Sequence, residues 1–468
     1  MIGQKGFFKN ILMVLSSNLI VLGLGVVISF ALPLYLSIES YGYWQLYNYY
    51  LGFVGLFMFG FSDGMNLRFA GNSLKDLNSS LFQSFLRFTV SFSLVLSLIL
   101  LAILSFFPSN DYKTIFFLVI LNIFLFNVNG YFIHLNQMTL RFKQYSVANS
   151  MERVLFILFL VPLFLNNIRD YSVYIWINIL CRMLTLFYNI STLKEIAFYK
   201  KGVDRPTLIP ELKANVLVGF PLTLASICSM LMTTMPRFVI SSLMSITAFG
   251  IFSFGSATIN LVIQIILAMS TVFYPTLMTM SDEQIKKSYL QTKKLLSVVG
   301  AITLLTYYLV YPLIQVFFKK YIPVLDYLYL LFPTLFYQSF NSLIISNFAR
   351  VLRLEKKYFF SNLLFMGINF GFSYFVGYST HSIPLILISS LITMQLWISY
   401  GEAYISKEFG IASRDWLALS SIVIFCISNF LFGYYISLVI YFIVALLYGF
   451  QLFKNHKDLL SRFTSQGE

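Results

Sequence analysis

Four arginines lie inside apolar runs of this 468-residue chain: Arg87, Arg153, Arg182 and Arg237. An arginine at the centre of a bilayer costs roughly 2.5–3.5 kcal/mol on insertion scales. It persists there for one of two reasons. Either the side chain snorkels its head to the interface, or several such residues line a wet cavity. A cavity of that kind prefers an anion, and the guanidinium fork matches phosphate oxygens. Arg87 and Arg153 lie toward one end of their runs, where snorkelling serves equally well. Arg237 follows Pro236 near the far end of its run, and both roles stay open for it. Arg182 sits about ten residues from either end of its run, which at about 1.5 Å per residue is near the midplane. It is the first candidate for a phosphate ligand.

The acidic residues that stand out within runs are Asp63, Asp326 and Glu402. Asp63 lies in Phe61-Ser62-Asp63-Gly64-Met65-Asn66-Leu67-Arg68. It reads either as the local ion partner of Arg68 or as a protonatable or cation-binding carboxylate, the ion-coupling candidate. Asp326 and Glu402 read as interfacial. His134, His381 and His456 are scattered, and Cys181, Cys228 and Cys426 have neither disulfide nor metal spacing. There is no Walker A loop. No catalytic residue, metal or cofactor is therefore expected, and work done by the protein would draw on a proton or sodium gradient.

The elements that carry these residues are membrane spans. The chain is 58% hydrophobic and 11% charged, with a mean hydropathy of +0.79, where soluble domains carry roughly 25% charge. About 20 apolar residues cross a bilayer. Spans are expected near 11–34, 44–67, 81–107, 115–137, 147–165, 172–192, 213–243, 249–275, 292–316, 324–347, 358–378, 383–404, 416–433 and 435–453. The net charge of +14 does not indicate a nucleic-acid partner. Of the 32 Lys and Arg, 24 fall on one set of loops and tails and 4 on the other. By the positive-inside rule both termini are cytoplasmic.

The connection 194–213, with Pro206 and Pro210, reads as a linker between two six-helix halves, 1–193 and 214–404, with two further helices and a tail over 405–468. Tyr41-Gly42-Tyr43-Trp44 after the first span is echoed by Phe249-Gly250-Ile251-Phe252 after the seventh. An even number of spans per half makes this a parallel repeat, with a substrate site between the halves. Pro33 and the pair Pro221 and Pro236 occupy equivalent spans. Gly52, Gly55 and Gly60, and the pair Gly367 and Gly371, read as close helix packing. The stretches 281–294 and 454–463 read as interfacial amphipathic helices whose lysines meet anionic lipid.

The opening Lys9-Asn10, Tyr41-Gly42-Tyr43, Gly60-Phe61-Ser62-Asp63-Gly64 ending in Arg68, Gly219-Phe220-Pro221-Leu222, Arg237, Phe249-Gly250 and Tyr274-Pro275 carry a family resemblance. The chain resembles the lipid-linked oligosaccharide flippases, for O-antigen or capsule repeat units, of the multidrug/oligosaccharidyl-lipid/polysaccharide exporter superfamily. It departs from that pattern at Pro236, where the family often has an acidic residue before the arginine. The resemblance implies an all-α polytopic protein of about fourteen helices, with two parallel six-helix bundles around a central cavity and two extra helices. It implies cargo, an undecaprenyl-pyrophosphate-linked oligosaccharide held by the arginines and flipped outward across a bacterial cytoplasmic membrane. It further implies membrane lipid, a polysaccharide polymerase and chain-length machinery as partners. A cation antiporter of the same superfamily would favour buried carboxylates over arginines, and a polymerase would need a larger outer loop.

The charge split is directly testable. Single cysteines at Lys200 and Ser109 in a cysteine-free background should report opposite faces to an impermeant thiol reagent. Labelling of both from outside would reverse the orientation.

Overall fold

The computed structural model describes residues 4–199, 201–278, 280–411 and 416–455. Every regular element among them is helical. The chain forms two compact units, Met1–Ile227 and Cys228–Glu468.

The first unit holds α1 (Gln4–Tyr35), α2 (Ile38–Leu51), α3 (Phe61–Phe69), α4 (Ser79–Ser105), α5 (Asp111–Met138), α6 (Phe142–Leu165), α7 (Tyr171–Thr192), the short α8 (Lys194–Ala197) and the first part of α9 (Arg205–Leu243). Side-chain caps set several starts. Asn78 accepts from the amides of Ser80 and Leu81, Asn110 from Lys113, and Asp170 from Ser172. Each satisfies amides that a helix start leaves orphaned. Because α9 begins at Arg205, it takes in the last part of the connection expected over 194–213, and the division between units falls inside this helix.

The second expected span is broken. α2 stops at Leu51, a 3-10 turn covers Val54–Met58, and Phe59 (φ 48) and Gly60 (φ 76) are left-handed before α3. Bonds such as Gly64 N to Gly60 O (2.8 Å) keep the backbone satisfied through the break, as an apolar phase requires. Gly60 is needed twice, for its φ and because a Cβ there would lie 2.4 Å from the Gly219 carbonyl carbon of α9. One turn on, a Cβ at Gly64 would lie 1.8 Å from Asn215 O, and a Cβ at Gly219 1.9 Å from Gly60 O. Here α3 and α9 meet backbone to backbone. The expected Gly367 and Gly371 contact is not made: a Cβ at either has no atom within 4 Å among the described residues.

The second unit continues with α10 (Ile246–Leu277), α11 (Asp282–Leu304), α12 (Tyr307–Phe317), α13 (Leu325–Leu331), α14 (Pro333–Phe340), α15 (Ser346–Val351), α16 (Glu355–Thr380), α17 (Ile383–Glu408) and α18 (Trp416–Asn455). A capping box of Ser281 and Gln284 starts α11 at Asp282. The stretch 281–294 is therefore the first turns of a membrane helix and not a separate interfacial one. Its Lys293 is buried and paired with Glu402 of α17, which corrects the interfacial reading of both. The tail 454–463 falls almost wholly outside the described residues.

Helix α18 is two passes. Ser420 Oγ lies 2.8 Å from Tyr448 Oη, and the Phe425 and Tyr441 rings are 5.0 Å apart. A straight helix would hold Ser420 and Tyr448 about 42 Å apart. The reversal is at Gly433 (φ 67, ψ −173), where the sequence places the gap between its last two spans. Among the described residues nine helices are long and apolar enough to cross a membrane, and the pair Lys319–Leu331 and Pro333–Val351, bent by 44°, makes a tenth. The folded-back α18 turns one of these into two crossings. The protein is an all-α polytopic membrane protein.

Overpacking a tight contact costs about 1–3 kcal/mol, so Gly64→Val and Gly219→Val should lower the melting temperature of detergent-purified protein. Gly367→Ala, in open space, should leave it nearly unchanged. Equal effects at all three positions would mean that α3 and α9 do not meet at the glycines.

Candidate functional site

The site builds outward from Arg182 on α7, whose side chain is 9% exposed. Its Nε donates to Glu152 Oε2 at 3.1 Å, and its Nη2 to Glu152 Oε1 at 2.7 Å. Its Nη1 donates to Asn122 Oδ1 at 3.0 Å. The ring closes through α2: Asn122 Nδ2 donates to Tyr47 Oη (2.7 Å), Tyr47 Oη to Asn178 Oδ1 (3.0 Å), and Asn178 Nδ2 to Glu152 Oε1 (3.3 Å). Phe126 lies beneath the guanidinium, 5.4 Å away. Four helices, α2, α5, α6 and α7, are thus tied by one closed polar ring around a bidentate ion pair.

Helix α5 supplies the amides in register. Asn122, Asn129 and Asn136 recur every seventh residue, about two turns, and so share a face; all three are buried. Asn129 Nδ2 donates to the Arg182 carbonyl (3.0 Å) and Asn189 Nδ2 to Asn129 Oδ1 (3.0 Å).

The other arginines make other contacts. Arg153, next to Glu152 on α6, donates through Nη1 to Val21 O of α1 at 2.5 Å. It reaches that carbonyl because Gly25 leaves the room: a Cβ there would be 2.9 Å from Nη1. The remaining Arg153 donors have no hydrogen-bond partner among the described residues. Arg87 is exposed on α4, with its Nη1 3.4 Å from a Cβ built at Gly202, where Ser84 Oγ also accepts from Val203 N. Arg237 belongs to the second unit and lies over the Phe249 ring at 5.5 Å.

Asp63 does not pair with Arg68. Arg68 donates to Glu211 Oε2 (2.7 Å), Glu211 O (3.2 Å) and Asn215 Oδ1 (2.6 Å), all on α9. Asp63 Oδ2 instead accepts from Thr223 Oγ1 at 2.5 Å.

Sequence reasoning missed Glu152, although it lies within the fifth expected span. Glu152 and Arg153 are adjacent, and the two charges face different helices, Glu152 toward Arg182 of α7 and Arg153 toward Val21 of α1. The heptad of asparagines on α5 was equally readable. Thr223 as partner of Asp63 had no sequence signal.

The family model described as polysaccharide biosynthesis protein matches residues 7–281. No curated protein matches the sequence. Among solved structures, a lipid II flippase, MurJ, in an inward closed conformation is similar at a TM-score of 0.64 and 15% identity, covering 96% of this chain and 99% of its own. An inward-facing multidrug resistance MATE family transporter of the MOP superfamily is similar at 0.60 and 14%, covering 85% of this chain and 100% of its own. At these identities the likeness is one of fold.

Breaking one side of a buried ion pair costs about 3–5 kcal/mol, while removing both sides relieves much of it. Glu152→Gln and Arg182→Gln should each destabilise by that order in thermal unfolding, and the double variant should recover a large part. Strict additivity would show that the two charges are not coupled.

Proposed function

The chain belongs to the polysaccharide biosynthesis protein family, and from that premise we propose that it is a flippase for lipid-linked oligosaccharide. Its cargo would be an undecaprenyl-pyrophosphate-linked repeat unit, moved from the cytoplasmic to the outer leaflet by alternating access for surface polysaccharide assembly. Its place is the bacterial cytoplasmic membrane, with both termini inside and a polysaccharide polymerase and chain-length machinery downstream.

The observation that carries this reading is Arg153. Glu152, its neighbour, is held bidentately by Arg182, so the two arginines share one carboxylate. Arg153 keeps donors to spare after binding Val21 O. Arg182 then acts as a positioning residue: it holds Glu152 away and leaves one net positive charge for a pyrophosphate. Arg87 in the first unit and Arg237 in the second are, each within its own unit, further anion contacts in this reading. The guanidinium would hold the pyrophosphate, polar and aromatic side chains the sugars, and the polyprenyl tail would stay in lipid.

A hydrogen bond to a charged group contributes about 1.5–3 kcal/mol, so Arg153→Ala should slow flipping of a fluorescent lipid-linked oligosaccharide in proteoliposomes by about tenfold or more. Arg153→Lys should retain part of the rate. A wild-type rate for Arg153→Ala would remove the residue from the site. Failure of the wild-type protein to move any lipid-linked sugar would remove the function.

A further inference from the structure

One end of the first unit carries a guanidinium that is held in place and has donors over. Arg169 is exposed in the loop between α6 and α7. Its Nε donates to Asn167 Oδ1 at 3.1 Å, and its Cζ lies 5.6 Å from the centre of the Tyr35 ring. Neither Nη group has a hydrogen-bond partner among the described residues, and the side chain makes no ion pair with them.

The platform for it is built from both sides of the α1–α6 packing. Tyr35, the last residue of α1, donates through Oη to Phe164 O (2.8 Å) and reaches Asn167 Oδ1 (3.1 Å), and its ring lies 4.3 Å from that of Phe164. Asn167 is left-handed (φ 55), a conformation that Asn visits more readily than most residues. The next residue is pinned at both ends, by Ile168 N to Leu163 O (3.0 Å) and by Tyr174 Oη to Ile168 O (2.6 Å). Tyr35 and Asn167 thus place the Arg169 head before any ligand arrives, so less side-chain freedom is lost on binding.

Three other charges at this end are taken. Lys113 donates to the last carbonyls of α4 and its exit, Ser105 O (3.3 Å) and Phe107 O (2.8 Å). Asp111 accepts from the phenols of Tyr43 (3.0 Å) and Tyr171 (2.8 Å), and Asp170 caps α7.

Apolar surface runs up to the guanidinium. Leu34, next to Tyr35, is 52% exposed, and Leu165, two residues before Asn167, is 81% exposed. In a membrane protein such side chains face hydrocarbon. A cation at the edge of that surface stands at the level of the lipid phosphates, and the guanidinium fork fits phosphate oxygens.

We propose that Arg169, set by Tyr35 and Asn167, binds the phosphate of a lipid at the membrane end opposite the 194–213 connection. A glycerophospholipid head group and a polyprenyl pyrophosphate both offer that chemistry. With both termini inside, this end faces the outer leaflet, and in a flippase the site receives the pyrophosphate of the cargo as it leaves. That use rests on the flippase reading above; the phosphate binding does not.

Native mass spectrometry of the detergent-purified full chain, titrated with one lipid at a time, tests the site. Arg169→Ala should weaken binding of phosphatidylglycerol, of undecaprenyl pyrophosphate or of both by about three- to fivefold, the scale of an exposed ion pair. Binding of diacylglycerol, which has no phosphate, should not change. Asn167→Ala, which frees the guanidinium without removing its charge, should give part of the loss. A loss for phosphatidylglycerol alone would make the site a head-group anchor, and a loss for the polyprenyl lipid alone a cargo contact. Wild-type binding of both phosphate lipids by Arg169→Ala, or an equal loss for diacylglycerol, would overturn the site. If the wild-type protein moves no lipid-linked sugar in proteoliposomes while Arg169→Ala still loses phosphatidylglycerol, the phosphate site stands and the flippase reading fails.

Discussion

A charge in hydrocarbon must be met by another charge, and much of the first unit is arranged around that requirement. Arg182 is close to fully buried, and transferring it alone would be costly. Glu152 meets it from α6, and three asparagine or tyrosine groups fill the lone pairs and protons that the pair leaves over. The arrangement fixes the relative rotation of four helices, because a ring of six directional bonds tolerates little rotation of any one of them. The same requirement recurs once more in the second unit, where Lys293 and Glu402 meet across α11 and α17.

The second constraint is steric. At Gly60, Gly64 and Gly219 two backbones come within reach of each other, and no side chain fits between them. Without a hydrophobic driving force between helices in lipid, such close approach supplies the dispersion energy that holds them. The break in the α2–α3 segment and the contact have one origin: Gly60 supplies both the left-handed turn and the empty space.

Much of this was legible beforehand, unevenly. That the chain is a succession of membrane helices follows from hydropathy alone, since a membrane span must be long and apolar whatever it packs against. The turn at Gly433 was visible as a gap between two apolar runs. Arg182 was recognisable as anomalous from its depth. Its partner Glu152 was not, because which helix meets α7 at that depth is a matter of packing that the sequence of either helix does not carry. Glycine spacing alone did not separate Gly64 from Gly367, because what a glycine faces depends on the neighbouring helix. The Lys293–Glu402 pair, 109 residues apart, has no local signature at all.

The hairpin at Gly433 has a consequence for how such a molecule can change over time. Two antiparallel helices return the chain to the membrane face it left. A unit of this kind can be gained, lost or exchanged without inverting the helices that precede it. A single added helix has no such freedom. The bonds from Asn429 and Tyr434 to Tyr308, and from Tyr441 to Ala301, moor the hairpin to the α11–α12 region. Closure of that sort leaves the sidedness of every preceding helix as it was.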